Sequence, residues 1–185
     1  MIDFIYFNFI YFLAFFVGFA IKQLDFIIDV ERREPSPLDL LILVLLGGVG
    51  VGILLSSVSP FASVAFAVFL AQPFSGKLDD KSYWILAVLA VIVAYILGIP
   101  HINPYSFIFF FLAALLDEVE WGNKILEARP FLPLASIIWF FVYGDLTCFL
   151  GVASFDLGYH LSYLINKSRY ILLSLPRIGE EIKRD

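Results

Sequence analysis

The sequence has few of the residues that soluble enzymes most often use for chemistry. Its 185 residues include one cysteine, Cys148, and two histidines. A single cysteine excludes an internal disulfide and a CxxC motif, and with only two histidines beside it a zinc site is excluded as well. The chain also has no sequence that resembles a serine or cysteine catalytic triad or a glycine-rich phosphate-binding loop.

Charged residues are scarce and are weighted toward acid. Only 16% of the residues are charged, the formal net charge is −5, and 61% of the residues are hydrophobic. The acidic balance excludes a basic nucleic-acid-binding surface, so we expect no nucleic acid as a partner. A soluble domain of this length cannot cover so much apolar surface, and we therefore predict a polytopic membrane protein.

Apolar runs of helical length alternate with short polar segments along the chain. We predict an all-α bundle of about seven transmembrane helices that forms one domain over residues 1–170, followed by a cytoplasmic tail over 171–185. The first apolar run has no signal-peptide features and is predicted to be a retained helix. The run over 131–166 is too long for one crossing, so we divide it at a turn near Gly144. The other predicted helices cover, approximately, 4–29, 38–56, 60–74, 83–98 and 105–118.

The second predicted helix carries four glycines within six residues. Two of them, Gly48 and Gly52, stand four apart and therefore lie on one side of a helix. Small residues at this spacing let the backbones of two membrane helices approach closely. We therefore expect another helix to pack against this side.

The basic residues all fall on one side of the predicted topology. They lie at the polar end of the first helix, in the loops after the first, third and fifth helices or in the tail, as follows: Lys22, Arg32, Arg33, Lys77, Lys81, Lys124, Arg129, Lys167, Arg169, Arg177, Lys183 and Arg184. The positive-inside rule then places the N-terminus outside and the tail in the cytoplasm. We predict an integral protein of the cell membrane whose acidic loops face the cytoplasm.

Carboxylates at the ends of the apolar helices are candidate site residues. Asp25 and Asp29 stand four apart at the end of the first helix, so they share one face. Asp117 ends the fifth helix, and Glu120 follows three residues later. Charges at this depth usually face a bundle interior or a water-filled cavity, and Mg²⁺ binds such hard oxygen ligands together with substrate phosphates. The alternative is that these acids simply pair with nearby lysines such as Lys22.

The last predicted helix carries a second candidate pair. Asp156 and His160 stand four apart and are expected on one face of the helix. An ionisable residue within a membrane helix is a functional candidate by default. The alternative is a structural Asp–His pair that fixes this helix to its neighbours. Asp145, in the preceding turn, is predicted to be a turn residue only.

Three of the cytoplasmic segments together resemble motifs of the UbiA-type intramembrane prenyltransferases. The segment QLDFIIDVERREPSPL is similar to the latter part of the family's first Asp-rich motif, with Asp25 and Asp29 at its DxxxD spacing. The segment PFSGKLDDK resembles the family's Tyr-Ser and basic stretch, with Phe74 in place of tyrosine. The segment LLDEVEWGNKILEARPFLP resembles the second Asp-rich loop, with Trp121 where an aspartate is usual.

The resemblance implies Mg²⁺-dependent transfer of a prenyl group from an isoprenoid diphosphate to a lipidic or aromatic acceptor, with membrane lipid as the surroundings. It implies that four carboxylates are catalytic metal ligands: Asp25, Asp29, Asp117 and Glu120. The candidate substrate-binding residues are Ser75, Lys77, Lys81, Asp156 and His160. Two alternatives stay open. The first is a small transporter in which Asp156, His160 and an acid of the first helix form a proton or cation path, and the second is a family member that binds lipid without catalysis.

Overall fold

The protein is described from a computed structural model. The structure describes the backbone of residues 2–31, 35–57, 60–74, 80–119 and 129–174, and within these ranges it describes the side chains of 8–28, 31, 35–57, 60–74, 80–119 and 129–167. Every regular element in these ranges is helical, which confirms the all-α prediction for this part of the chain.

Helix is found at each predicted position. The elements, in chain order, are α1 (Ile2–Asp25) with a π-helical turn (Phe26–Val30), α2 (Pro37–Val44) with a second π-helical turn (Leu45–Val49), α3 (Gly50–Leu55), α4 (Phe61–Phe74), α5 (Lys81–Leu97), α6 (Pro104–Glu118), α7 (Phe131–Tyr143) and α8 (Leu146–Ser174). The break between α7 and α8 lies at Gly144, as predicted, where the backbone is left-handed with φ of 70°. Such a backbone ends a helix at little cost only in glycine.

Short polar side chains fix where several helices begin. Ser36 and Asp39 form a capping box at the start of α2, with Pro37 at the first helical position. Asp80 accepts a hydrogen bond from the Ser82 amide, and Asp145 accepts one from the Thr147 amide. These oxygens satisfy backbone N–H groups that have no partner within the first helical turn. The predicted turn residue Asp145 therefore marks the start of α8.

Within the described part of the chain, three helical stretches are long and apolar enough to cross a membrane: Asn8–Ile28, Pro37–Leu55 and Leu146–Lys167. α4, α5 and α7 are shorter apolar helices. Large apolar side chains also cover the outside of the bundle, with Tyr95 82% exposed and Phe141 78% exposed. Apolar exposure on this scale is typical of a surface that meets lipid, which agrees with the predicted membrane protein.

α1 and α8 form the most extensive helix pair in the described part of the chain. Two glycines make their close approach possible. A Cβ atom at Gly18 would lie 2.2 Å from the carbonyl oxygen of Phe155, and one at Gly158 would lie 1.9 Å from that of Phe15. Both distances are far below van der Waals contact with rigid backbone, so only glycine fits at this crossing.

The glycines of the second predicted helix meet α5. A Cβ atom at Gly48 would lie 3.1 Å from the Leu86 carbonyl oxygen, and one at Gly52 would lie 2.8 Å from that of Ala90. This confirms the expected close approach on the Gly48–Gly52 side. α5 packs chiefly on α2, α3 and the π-helical turn between them, whereas α4 packs on α6, α3 and α8. α4 and α5 are consecutive along the chain but have no substantial interface with each other.

Candidate functional site

A cavity of about 520 Å³ lies within the bundle and is lined by residues of α1, α3, α4, α5, α6 and α8, together with the start of α7. Most of its wall is apolar, including Val17, Leu54, Val64, Leu86 and Val152. On the α5 side, Trp84, Val88, Val91 and Ile92 line the cavity and are also about half exposed at the surface. The cavity is therefore open toward the surface beside α5, where α4 does not cover it.

Polar side chains gather at one end of this cavity. The polar lining residues are Asp25, Gln72, Tyr83, Asp117, Glu118, Arg129, Asp156 and Tyr159. At this end α1, α4 and α6 finish, and α5 and α7 begin. The cavity thus has an apolar body and a polar end, which is the shape and polarity of a site for an amphiphile.

Asp25 is held by residues from two other helices as well as its own. Tyr83 of α5 donates a hydrogen bond to Oδ1, and Tyr159 of α8 donates one of 3.3 Å to Oδ2. Lys22 Nζ lies 3.6 Å from the same Oδ2 atom and donates a hydrogen bond of 3.1 Å to the Tyr159 hydroxyl. Asp25, which sequence reasoning selected as a metal ligand, is therefore the centre of a hydrogen-bonded network.

Glu118 and Arg129 form an ion pair at the same end. Arg129 Nη1 lies 3.2 Å from Glu118 Oε1, and Gln72 donates a hydrogen bond of 3.3 Å to the same oxygen. Burial alone lowers the pKa of Arg129, but Tyr159 and the carboxylates of Glu118, Asp25 and Asp117 together hold that pKa above its ordinary value. The guanidinium group is therefore a permanent positive charge at the polar end of the cavity.

Tyr159 links the two cations of the site. Its ring centroid lies 4.7 Å from Lys22 Nζ and 5.6 Å from Arg129 Cζ. Both distances are within the range of cation–π attraction. The phenol ring therefore screens two positive charges that would otherwise repel each other.

Asp117 caps α7 through its side chain. Its Oδ1 accepts a hydrogen bond of 2.8 Å from the Phe131 amide, and its Oδ2 accepts one of 2.7 Å from the Leu132 amide. These two amides belong to the first turn of α7, where backbone N–H groups have no partner within the helix. Asp117 also lines the cavity, so it combines a structural role with a place at the polar end.

Asp156 and His160 have different surroundings. Asp156 lines the cavity and makes no hydrogen bond to any residue that the structure describes. His160, one turn further along α8, is exposed and is not among the lining residues. The polar end therefore contains one carboxylate to which no described residue donates a hydrogen bond.

The other predicted site residues do not extend this cluster. Lys81 is the first residue of α5, is exposed and does not line the cavity. The side chains of Asp29, Ser75, Lys77 and Glu120 lie outside the described residues. Of the predicted site residues, the structure therefore brings together three: Asp25, Asp117 and Asp156.

Sequence reasoning did not include Tyr83, Tyr159 or Arg129 in the site. Tyr159 lies three residues after Asp156, a spacing that places both side chains on one side of α8 and offers a usable signal. Arg129 is the last charged residue before an apolar helix, and such a position gives a weaker signal. Nothing local identifies Tyr83, because its contact with Asp25 joins residues 58 positions apart.

The described carboxylates do not by themselves fit a metal site. Among the described residues, no group of three or more histidine, cysteine, aspartate or glutamate side chains has an arrangement that would hold a metal ion. Both oxygens of Asp25 accept hydrogen bonds from tyrosines, and both oxygens of Asp117 accept hydrogen bonds from backbone amides. The predicted Mg²⁺ site therefore depends on Asp29 and Glu120 or on oxygens that a substrate brings.

Comparisons with known proteins add no relative to this picture. No protein-family model, no curated protein and no solved structure matches the chain. The function is therefore inferred from the cavity and from the sequence motifs.

Proposed function

We propose that the protein crosses the membrane seven times, with the N-terminus outside and the polar end of the cavity on the cytoplasmic side. Two observations support this topology. All the basic residues lie on one side of the seven-helix topology, and the positive-inside rule assigns that side to the cytoplasm. Lys22 and Arg129, which belong to this set, lie in or beside the polar end of the cavity.

Within that topology, we propose that the chain transfers a prenyl group from an isoprenoid diphosphate to a lipidic or aromatic acceptor. The observation that carries this proposal is that one cavity combines an apolar body with a charged end. A prenyl chain gains about 0.8 kcal/mol for each CH₂ group that it buries in apolar surroundings. A dry apolar wall would also keep water from an allylic cation while the C–O bond to the leaving diphosphate breaks.

The charges of the polar end indicate how the diphosphate would be held. Among the described residues, Lys22 and Arg129 are the cations available for its oxygens, and four described carboxylates lie with them: Asp25, Asp117, Glu118 and Asp156. This excess of negative charge would repel a bare diphosphate, so a cation has to accompany it. Mg²⁺ would supply that charge, and the resemblance to UbiA-type prenyltransferases assigns its binding to Asp25, Asp29, Asp117 and Glu120.

Binding of radiolabelled geranylgeranyl diphosphate to the purified protein tests this function, with Mg²⁺ present or removed by EDTA. We expect Mg²⁺-dependent binding and slow release of diphosphate. Asp25→Asn is expected to weaken binding at least about tenfold, which corresponds to about 1.4 kcal/mol. The matched control is Asp145→Asn, because Asp145 lies at the far end of α7 and asparagine caps a helix as well as aspartate does. Binding that ignores both Mg²⁺ and Asp25→Asn would rule out the proposal.

A proton or cation path is the second candidate, and the position of Asp156 in the cavity favours it. Asp156 lies ten residues into α8, about 15 Å along the helix from Leu146. Flux of protons or Na⁺ into proteoliposomes, together with no diphosphate binding, would select this alternative. Binding of the diphosphate without any release would select the non-catalytic lipid-binding alternative.

A further inference from the structure

The four carboxylates at the polar end differ in what the protein supplies to them. Asp25 accepts hydrogen bonds from two tyrosines, and Asp117 accepts two from backbone amides. Glu118 accepts a hydrogen bond from Gln72 and pairs with Arg129. Asp156 lines the same cavity but makes no hydrogen bond to any described residue. The Glu118 side chain is only 6% exposed, whereas Asp156 is half-buried and lines the cavity. Among the described carboxylates of the polar end, Asp156 is therefore the one that a ligand reaches without breaking an existing hydrogen bond.

Because of the position of Asp156, the lack of a hydrogen-bond donor lowers the stability of the ligand-free protein. Asp156 is flanked by Phe155 and Leu157 near the middle of the apolar stretch Leu146–Lys167. A carboxylate away from bulk water loses free energy when no donor replaces its hydration. A residue that costs stability and faces a cavity is better explained by a ligand than by packing.

A neutral donor reaches Asp156 at a lower desolvation cost than a cation does. Arg129 lines the same cavity and already supplies a positive charge near Asp156. An ammonium group would have to lose its hydration to enter the apolar cavity, whereas a hydroxyl group would add one hydrogen bond at a smaller desolvation cost. The open side beside α5 would admit such a molecule from the lipid.

We propose that Asp156 binds the hydroxyl group of an apolar alcohol, which is the acceptor of the proposed transfer. In that transfer the hydroxyl oxygen would form the new C–O bond to the prenyl carbon, the diphosphate would leave from that carbon, and the hydroxyl proton would pass to the Asp156 carboxylate. Only the role of the alcohol as acceptor rests on the proposed function. The alcohol site itself is defined by the cavity and by Asp156. The apolar part of the alcohol lies along the cavity wall near Val152 and Phe155. The polar end then holds the polar groups of both ligands: the diphosphate beside Lys22 and Arg129, and the hydroxyl group at Asp156.

The experiment compares dodecanol with dodecyl methyl ether, which has the same chain and no donor. Thermal unfolding of the detergent-solubilised protein is followed through the reaction of a thiol dye with Cys148, which is fully buried when the protein is folded. We expect dodecanol to raise the unfolding temperature at a concentration at least about tenfold below that needed for the ether, a ratio that corresponds to one hydrogen bond to a charged group. Dodecylamine is expected to bind less tightly than dodecanol.

Asp156→Leu and Asp156→Asn identify the group responsible. In Asp156→Leu the preference for dodecanol is expected to disappear, and the ligand-free variant is expected to unfold at the wild-type temperature or above it. Asp156→Asn keeps the volume and one acceptor oxygen, so part of the preference should return. Asp80→Asn, at a helix cap that does not line the cavity, should keep the full preference.

The inference fails if the alcohol and the ether stabilise the wild-type protein equally, or if Asp156→Leu keeps the preference for dodecanol. It also fails if dodecylamine binds more tightly than the alcohol. Its failure is separate from that of the proposed function, because diphosphate binding is measured with a different probe. If the protein binds no diphosphate but prefers dodecanol in an Asp156-dependent way, the alcohol site is supported and the transfer reaction is ruled out.

Discussion

At the scale of single residues, the polar end of the cavity shows how charges are kept inside an apolar bundle. The Glu118 side chain is only 6% exposed, and Arg129 and Gln72 both contact its Oε1. A carboxylate this buried needs partners, because the loss of its hydration is not otherwise repaid. Arg129 is therefore as much a structural residue as a candidate ligand-binding residue.

Removing Arg129 should destabilise the fold, and removing the carboxylate with it should restore most of the loss. Arg129→Met takes away the cation that faces Glu118, and we expect the free energy of unfolding to fall by about 1–3 kcal/mol. The double variant Arg129→Met with Glu118→Gln should recover most of this loss, because a buried ion pair can be replaced by neutral groups at little cost. Thermal unfolding followed through Cys148 measures both. Additive losses in the double variant would contradict the pairing.

Asp117 should behave as a helix cap in addition to any role in binding. Asp117→Ala removes both hydrogen bonds to the first turn of α7, and we expect a loss of about 0.5–2 kcal/mol in the free energy of unfolding. Asp117→Asn keeps one acceptor oxygen and should lose less. Unfolding temperatures of the two variants in the same detergent provide the measurement. Equal unfolding temperatures for wild type and Asp117→Ala would show that the cap contributes nothing.

At the scale of helices, the α1–α8 pair positions residues of the site. The pair brings Lys22 and Asp25 of α1 to Tyr159 of α8. Its close approach depends on Gly18 and Gly158, since a Cβ atom at either would meet backbone oxygen. The geometry of the polar end therefore depends on glycines that contribute no chemistry of their own.

Adding one methyl group at the crossing should therefore be costly. Gly158→Ala would place a Cβ atom 1.9 Å from the Phe15 carbonyl oxygen, so the two helices must separate. We expect a loss of about 1–3 kcal/mol in stability. The matched control is Leu157→Ala at the neighbouring, 65% exposed position, which should change the unfolding temperature little. Similar unfolding temperatures for the two variants would contradict the close approach.

At the scale of the whole molecule, the predicted topology fixes which ends of the bundle face each compartment. Tyr105, 77% exposed at the start of α6, lies on the predicted outer side, and Leu38, 64% exposed at the start of α2, lies on the cytoplasmic side. A membrane-impermeant maleimide should label Tyr105→Cys in intact cells and Leu38→Cys only after permeabilisation. The native Cys148 is buried, so the wild-type protein provides a low background. The reverse labelling pattern would overturn the orientation.

The fold was accessible from the sequence because its signals are local. Runs of apolar residues, the prolines after Asp29 and the glycine at 144 each act on the residues next to them. The Gly48–Gly52 spacing likewise reports on one helix surface, and the structure places α5 on that surface. The two π-helical turns were not predicted, because no residue pattern distinguishes them from α-helix.

The site was accessible only in part, because its contacts join distant parts of the chain. Asp25, Asp117 and Asp156 were selected because charge is rare in apolar helices, and all three line the cavity. The hydrogen bond between Tyr83 and Asp25 depends on the position of α5 relative to α1, and no local sequence pattern predicts that position. The same holds for Asp117, since its backbone partners lie 14 and 15 residues further along the chain.

The way α5 is attached has a consequence for selectivity. α5 forms one wall of the cavity but packs chiefly on α2 and α3, and Tyr83 ties only its first turn to α1. Because α5 packs chiefly on one side, this wall of the cavity can move outward to fit a longer ligand, whereas the closely packed α1–α8 pair cannot. In a series of alcohols of increasing chain length, affinity should therefore rise steadily, with no abrupt limit at one chain length. The protein would discriminate sharply among head groups and only gradually among tails.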